Sequence, residues 1–257
     1  MTEIAAITGS IARAARIIDV LTLAPDGLAL NQIVERSEFS KTTAFRVLAN
    51  MQDVGFVFQD PESRLYLLGH KLAQISQTAA RSNIAGMAQR GMARLAALSE
   101  DTVFLSVPEG AAAICVARAT GAYPIRTLTL NIGDRRPMGV GAGALALFCA
   151  LGDEKRTAIL AANRGWMAEY GITDADISAG FAAYQETGYA ANIGRIVAGT
   201  SAVSVPVITA RKRVVGALAI GAVDARMTFE RTNETLIPAL TQEATLLARR
   251  MDEMEQG

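Results

Sequence analysis

Lys41, Thr42, Thr43, Phe45, Arg46 and Asn50 fall on one side of a helix if residues 40–53 are helical, opposite Ala44, Val47, Leu48 and Met51. Two cations, two hydroxyls, an amide and an aromatic are side chains that donate to phosphate oxygens or meet base edges in a major groove. The apolar stripe would dock on a preceding helix. Ser40 stands where its hydroxyl can cap the first turn. An ordinary solvated helix face is the competing reading of the same pattern.

A second group of residues with chemical potential is Gly139-Val140-Gly141-Ala142-Gly143-Ala144, which leads into an apolar helix. It satisfies the Gly-x-Gly-x-x-Ala pattern of a dinucleotide loop, with a pyrophosphate on the helix N-terminus. A dinucleotide fold also needs a second parallel strand ending in an acidic residue roughly 20 residues on. The stretch after this helix reads as helical and then as Asn163-Arg164-Gly165-Trp166. The same backbone N–H groups, near Gly141 and Ala142, could instead hold the carboxylate of a small ligand, glycine letting it approach the main chain.

Catalysis has little to draw on. His70 is the one histidine, placed at a junction, and it reads as a surface residue, so no histidine triad, His-rich metal site or histidine base is available beyond it. Asp224, Asp174 and Asp176 read as turn and capping residues. Cys115 and Cys149 are far apart and read as small core residues. No cofactor is expected.

The elements that position the first group form a helix-turn-helix with a wing. A helix over residues 10–23 offers Ile11, Ile17, Ile18, Val20 and Leu21 to a core, with Arg13 and Arg16 on a nearby face as backbone clamps. A helix over 30–36 keeps Ile33 and Val34 inward, Ser37-Glu38-Phe39 turns, and the second helix opens at Ser40. Gly55 closes that helix in a left-handed conformation. Strands at 56–59 and 65–68 flank the turn Asp60-Pro61-Glu62-Ser63, with Arg64 at its tip, where a guanidinium can reach a phosphate or a minor groove.

These residues resemble the IclR-type bacterial transcriptional regulators. Arg13 to Leu21 is similar to their first helix, Ser40 to Leu48 to their recognition helix, and Gly55-Phe56-Val57 through Arg64 to Gly69 to their wing. Phe45 stands where many members carry His. The resemblance covers nearly the whole chain and implies an α+β protein: an N-terminal winged helix-turn-helix, a linker helix that pairs protomers, and a C-terminal antiparallel-sheet effector-binding domain of GAF-like type. The expected divisions are a tail over 1–9, the DNA-binding domain over 10–69, the linker over 70–82 and the effector domain over 83–257. The DNA-binding set is Arg13, Arg16, Ser40, Lys41, Thr42, Thr43, Phe45, Arg46 and Arg64.

The resemblance also implies a pocket for small organic acids or aromatics that includes the helix start at Gly141 and Ala142. The usual Pro-x-His-Ala-Ser/Thr run stands here as Pro137-Met138-Gly139-Val140, one residue shorter and without the His, and Ala144 replaces a common Lys. Carried over by position, Asn192, Ala202, Ala219 and Gly221 line the pocket, with Thr129 and Ser204 as further candidates. The substitutions imply a roomier and less polar pocket. Arg126 could face an anion, although an edge-strand arginine is the plainer account.

Composition fits two compact domains: 257 residues, 51% hydrophobic and 19% charged, suffice for two cores. Residues 1–9 lack a basic end followed by a long apolar run, and no stretch reads as membrane-spanning, so a cytoplasmic protein without a membrane partner is expected. Net charge is zero, and the first 94 residues carry ten Lys or Arg against eight Asp or Glu. A DNA reader with so slight an excess needs a local cation cluster and two copies on its site. The expected partners are therefore double-stranded operator DNA, a small effector and a second copy of the chain, as a homodimer or a tetramer.

In the second domain a helix over 83–99 should bury Ile84, Met87, Met92, Leu95 and Leu98. Strands are expected at 103–107, 111–117, 125–132, 201–209 and 214–221, with helices at 142–151, 153–162, 173–187 and 232–254. Two alternatives to a ligand-responsive regulator are a dinucleotide-dependent enzyme using the 139–144 loop and a protein-interaction adaptor.

Overall fold

The structure, a computed structural model, describes residues 9–75 and 84–254. Contacts divide the chain into two compact units, Met1–Arg81 and Ser82–Gly257.

The first unit is built on α1 (Ser10–Thr22), α2 (Leu30–Ser37), α3 (Lys41–Asp53), β1 (Val57–Gln59) and β2 (Tyr66–Leu68). Ile17, Leu21, Ile33 and Leu48 are fully buried where the three helices meet, joined by Val47, Met51, Val57 and Tyr66. Each such side chain contributes on the order of 1.5–3 kcal/mol by leaving water. Ile11 departs from the expected core and is 85% exposed, because it lies nearly two turns before the buried stripe that starts at Ile17. The turn after α2 is made by Glu38 in the left-handed region (φ 63), with its N–H on the carbonyl of Val34. β1 and β2 pair antiparallel, and Leu28 adds a bridge to Tyr66 that ties the hairpin to the start of α2. Residues 70–75 are helical (α4). The rest of the expected linker helix lies outside the described residues.

The second unit places one antiparallel sheet, in the order β5-β4-β3-β8-β7-β6, between two helical layers. Its strands are β3 (Thr102–Glu109), β4 (Ala112–Thr120), β5 (Arg135–Pro137), β6 (Ala190–Ile193), β7 (Thr200–Ile208) and β8 (Val214–Val223). On one face, α5 (Ile84–Ser99) and α10 (Ile237–Met254) bury Met92, Leu95, Leu240 and Leu247 against Val103, Leu105, Val205 and Leu218. On the other lie α6 (Ala142–Cys149), α7 (Asp153–Ala168) and α8 (Asp174–Thr187), around Leu147, Phe148, Met167 and Ile177. Helix α6 is apolar all round because it is buried almost all round. A short α9 (Phe229–Arg231) runs through a π turn at Thr232–Leu236 into α10.

Four features differ from expectation. Residues 125–132 form no ladder: Thr127 is buried by donating its hydroxyl to the Gly221 carbonyl at 2.7 Å, and the strand beside β4 is instead Arg135–Pro137. Strand β6, four residues long, was not foreseen. Helix α7 continues to Ala168, so Asn163-Arg164-Gly165-Trp166 is helical, with Asn163 Nδ2 donating to the Ala111 carbonyl at 2.7 Å. Leu98 is 53% exposed on the outer face of α5.

One ionic cluster holds this unit together at the end of α5. The Asp101 side chain is 1% exposed and accepts from Arg226 Nε at 3.0 Å and from Arg231 Nη2 at 2.8 Å. Both arginines also donate to the Ser99 carbonyl. Each charge is thus paired and hydrogen-bonded, which a buried ion requires.

Candidate nucleic-acid interface and ligand cavity

Ser40 caps α3 as its sequence position predicts. Its Oγ accepts from the Thr43 N–H at 3.2 Å and donates to Thr43 Oγ1 at 2.8 Å. The Ser40 proton is therefore spent inward, while Thr43 keeps its own hydroxyl proton for an outside acceptor. Lys41, Thr42, Phe45, Arg46 and Asn50 are exposed, and Phe45 presents 58% of its surface. Among the described residues neither Lys41 nor Arg46 has an ion-pair partner.

The wing turn is closed by side-chain hydrogen bonds. Asp60 Oδ1 accepts from the N–H groups of Glu62 and Ser63 and from Ser63 Oγ, bonds that hold its carboxyl below the usual range, the Ser63 N–H most of all. Arg64 takes the left-handed region (φ 60), Gln59 Nε2 holds its carbonyl at 2.8 Å, and the residue stays exposed. Arg16 Nη2 donates to the Arg36 carbonyl at 3.0 Å, tying α1 to the end of α2. Arg13 is half-buried on the same helix.

In the second unit a cavity of about 50 Å³ opens between the sheet and the start of α6. On the same measure one buried water needs roughly 10–15 Å³. Its walls include Thr129, Gly141, Ala142, Asn192, Ala202, Ala219 and Gly221, all named from the sequence. Ser204 is not among them; it shares that face of β7, but its hydroxyl donates to the Leu218 carbonyl at 2.9 Å and is shut in beneath α6.

The loop into α6 needs its glycines. Gly141 has φ 84 and ψ 158, a conformation essentially reserved for glycine, and Gly139 has φ 102 with Ile177 2.7 Å from where a Cβ would stand. Leu145 makes the first intrahelical bond, to the Gly141 carbonyl at 2.9 Å, so the N–H groups of Ala142, Gly143 and Ala144 precede the ladder.

Among the wall residues that the sequence reading missed are Phe104, Ser106, Cys115 and, above all, Arg136. On β5, Arg135 points out and pairs with Glu109 Oε2 at 2.5 Å, while Arg136 points in and is half-buried. Its Nη2 donates to the Thr129 carbonyl at 2.7 Å, and its Nη1 lies 3.0 Å from the Cβ position of Gly141. Desolvation lowers its pKa. The alternation of a strand next to Pro137 was the available signal. Arg126, the arginine weighed instead, is exposed. Burial raises the Cys115 thiol to about 11 and that of Cys149 to about 12, so both sulfurs stay protonated.

The glycine loop does not sit in a dinucleotide fold, since β5 is an antiparallel edge strand and α6 leads into another helix. Among the described residues no helix is long and apolar enough to cross a membrane.

Residues 10–61 match the model of the IclR helix-turn-helix domain, and residues 76–249 match that of the bacterial transcriptional regulator IclR C-terminal domain. The HTH-type transcriptional regulator KipR of Bacillus subtilis is 26% identical over 229 residues, covering 86% of this chain and 87% of that protein. XynR of Escherichia coli, another HTH-type regulator, is 26% identical over 225 residues, covering 85% and 87%. The crystal structure of an IclR transcriptional regulator from Alicyclobacillus acidocaldarius superposes with a TM-score of 0.79 at 26% identity, covering 94% of this chain and 98% of that one. An IclR homolog from Microbacterium hydrocarbonoxydans, complexed with 4-hydroxybenzoate, gives 0.75 at 22% identity and covers 94% and 100%, a likeness that speaks for the fold. These relatives are transcriptional regulators rather than enzymes, which sets the dinucleotide-dependent enzyme aside. The chain belongs to the IclR family of bacterial transcriptional regulators.

Proposed function

We propose that this chain is a ligand-responsive regulator that binds a two-fold symmetric operator as a dimer, working in the cytoplasm. The observation that carries the DNA half is the outward face of α3, where Lys41 and Arg46, without an ion-pair partner among the described residues, flank exposed Thr42 and Phe45 on a helix fixed by its Ser40 cap. In this reading Lys41, Thr42, Thr43 and Arg46 meet the major groove, Arg13 and Arg64 meet the backbone or the minor groove, and Arg16 and Ser40 hold the frame. The few cations of one module favour two copies on half-sites about one helical turn, ~34 Å, apart. Residues 10–69 act as the DNA module, 70–82 as the linker and 83–257 as the sensor.

The cavity at the start of α6 is the effector site, with Thr129, Gly141, Ala142, Asn192, Ala202, Ala219 and Gly221 in its wall. Ligand binding biases the linker and so the match of two DNA modules to their half-sites; a coupling of about 1–3 kcal/mol gives a useful response. The test is operator affinity by fluorescence anisotropy on genomic fragments upstream of neighbouring genes. Arg46→Ala is expected to cost on the order of 1–3 kcal/mol on the preferred fragment. No preference for any fragment, or an unchanged affinity in Arg46→Ala, would leave the adaptor reading in its place.

A further inference from the structure

Resting on the reading of the cavity as the effector site, the geometry points to a narrower ligand class. We propose that Arg136 is the charge partner of the effector, so that this chain senses a small monocarboxylate held between that guanidinium and the first turn of α6.

Arg136 is the one charged residue in the cavity wall, which contains no Asp or Glu. Among the described residues no carboxylate lies within ion-pair distance of it. Asp134 acts on it only from farther off, and Asp134 Oδ2 is occupied by the Asn131 N–H at 2.7 Å. A half-buried guanidinium with one Nη on a neutral carbonyl keeps several donors unused, an arrangement that an anion relieves.

Two further observations place that anion. Ala142, Gly143 and Ala144, whose N–H groups precede the helix ladder, line the cavity, and Arg136 Nη1 lies 3.0 Å from the Cβ position of Gly141 at the head of this turn. Ser106 is 5% exposed, and its Oγ lies 3.4 Å from the Cβ position of Gly143 with no hydrogen-bond partner among the described residues. A hydroxyl in the cavity wall this close to the same helix start can bond a ligand oxygen. The remaining wall, with Phe104, Leu130, Ala202 and Ala219, is apolar and takes the body of the acid. One cation and no acidic residue select a monoanion over amines and over dianions.

The test uses the full-length protein and pairs of probes equal in shape but different in charge: benzoate and benzamide, 4-hydroxybenzoate and 4-hydroxybenzamide, pyruvate and pyruvamide, each by calorimetry. At least one acid is expected to bind about tenfold or more tightly than its amide, as a charge-assisted bond implies. Arg136→Gln should bring that ratio to within about twofold, Arg136→Lys should keep part of it, and Arg126→Gln should leave it unchanged. Amides binding as well as their acids, or Arg136→Gln keeping the ratio, overturns the assignment while leaving the cavity an effector site. Binding by no probe removes both readings. Should Arg136→Gln fail to fold, the wild-type ratio and Ser106→Ala, expected to weaken the acid severalfold, still decide.

Discussion

Replacing Gly141 by alanine tests the geometry at the head of α6. With φ 84 and ψ 158 the residue occupies a region that an L side chain reaches at a cost of about 1–3 kcal/mol. The added Cβ would also stand 3.0 Å from Arg136 Nη1, so the guanidinium must give way by a few tenths of an ångström. For a unit of this size each kcal/mol is worth about 2–4 °C in Tm, so calorimetry should record a fall of about 2–12 °C. Gly165→Ala is the control: it sits in the interior of α7 with nothing within 4 Å of its Cβ position, and should stabilise by up to about 1 kcal/mol. Combining Gly141→Ala with Arg136→Gln separates the two costs, since the contact with the guanidinium disappears and the backbone strain stays. An unchanged Tm in Gly141→Ala, alongside a normal response of the control, would refute the claim that this loop requires glycine.

Asp101→Ala leaves Arg226 and Arg231 without their shared carboxylate, and loss of one partner of a buried pair costs about 3–5 kcal/mol, which urea unfolding followed by circular dichroism would read. Asp176, which completes the capping box of α8, titrates at about 2 because its bonds to Thr173 and to Arg195 favour the carboxylate. Its folded pKa lies below the ordinary aspartate value of 3.8, so its contribution is complete above that value and is lost as pH falls through about 2. Thr173→Val should move the Asp176 titration upward in an NMR pH series; a titration that stays at 2 would refute the hydrogen-bond account.

The first unit was legible because its signals are local. A cap at Ser40, a stripe of Ala44, Val47, Leu48 and Met51, and a glycine at position 55 each act within one or two turns, and the turn and wing need only neighbours to form. Periodicity is weaker at the margins of a stripe: Ile11 and Leu98 keep the helical spacing, yet nothing in the chain says that their neighbours across the core have run out. The second unit depends on long-range choices. Residues 125–132 have the composition of a strand, but Thr127 satisfies its burial through the Gly221 carbonyl, 94 residues away, and no ladder forms. Arg136 was hidden for the same reason, since its inward direction is fixed by three residues of edge pairing with β4.

Charge shows what totals conceal. A chain with 25 basic and 25 acidic residues is uninformative in sum, but the second unit spends its arginines on carboxylates: Arg94 on Glu243, Arg135 on Glu109, Arg164 on Asp174, Arg195 on Asp176, and Arg226 with Arg231 on Asp101. Against that background, cations without a carboxylate stand out where the surrounding chemistry could use one. Lys41 and Arg46 stand on the exposed face of a capped helix, Arg64 on a hydrogen-bonded turn and Arg136 in the wall of a cavity beside the start of α6. A solvated lysine or arginine costs little to leave unpaired, whereas a half-buried one does not. The claim on an anion is therefore strongest at Arg136, and the face of α3 depends instead on several weak contacts to one polyanion acting together.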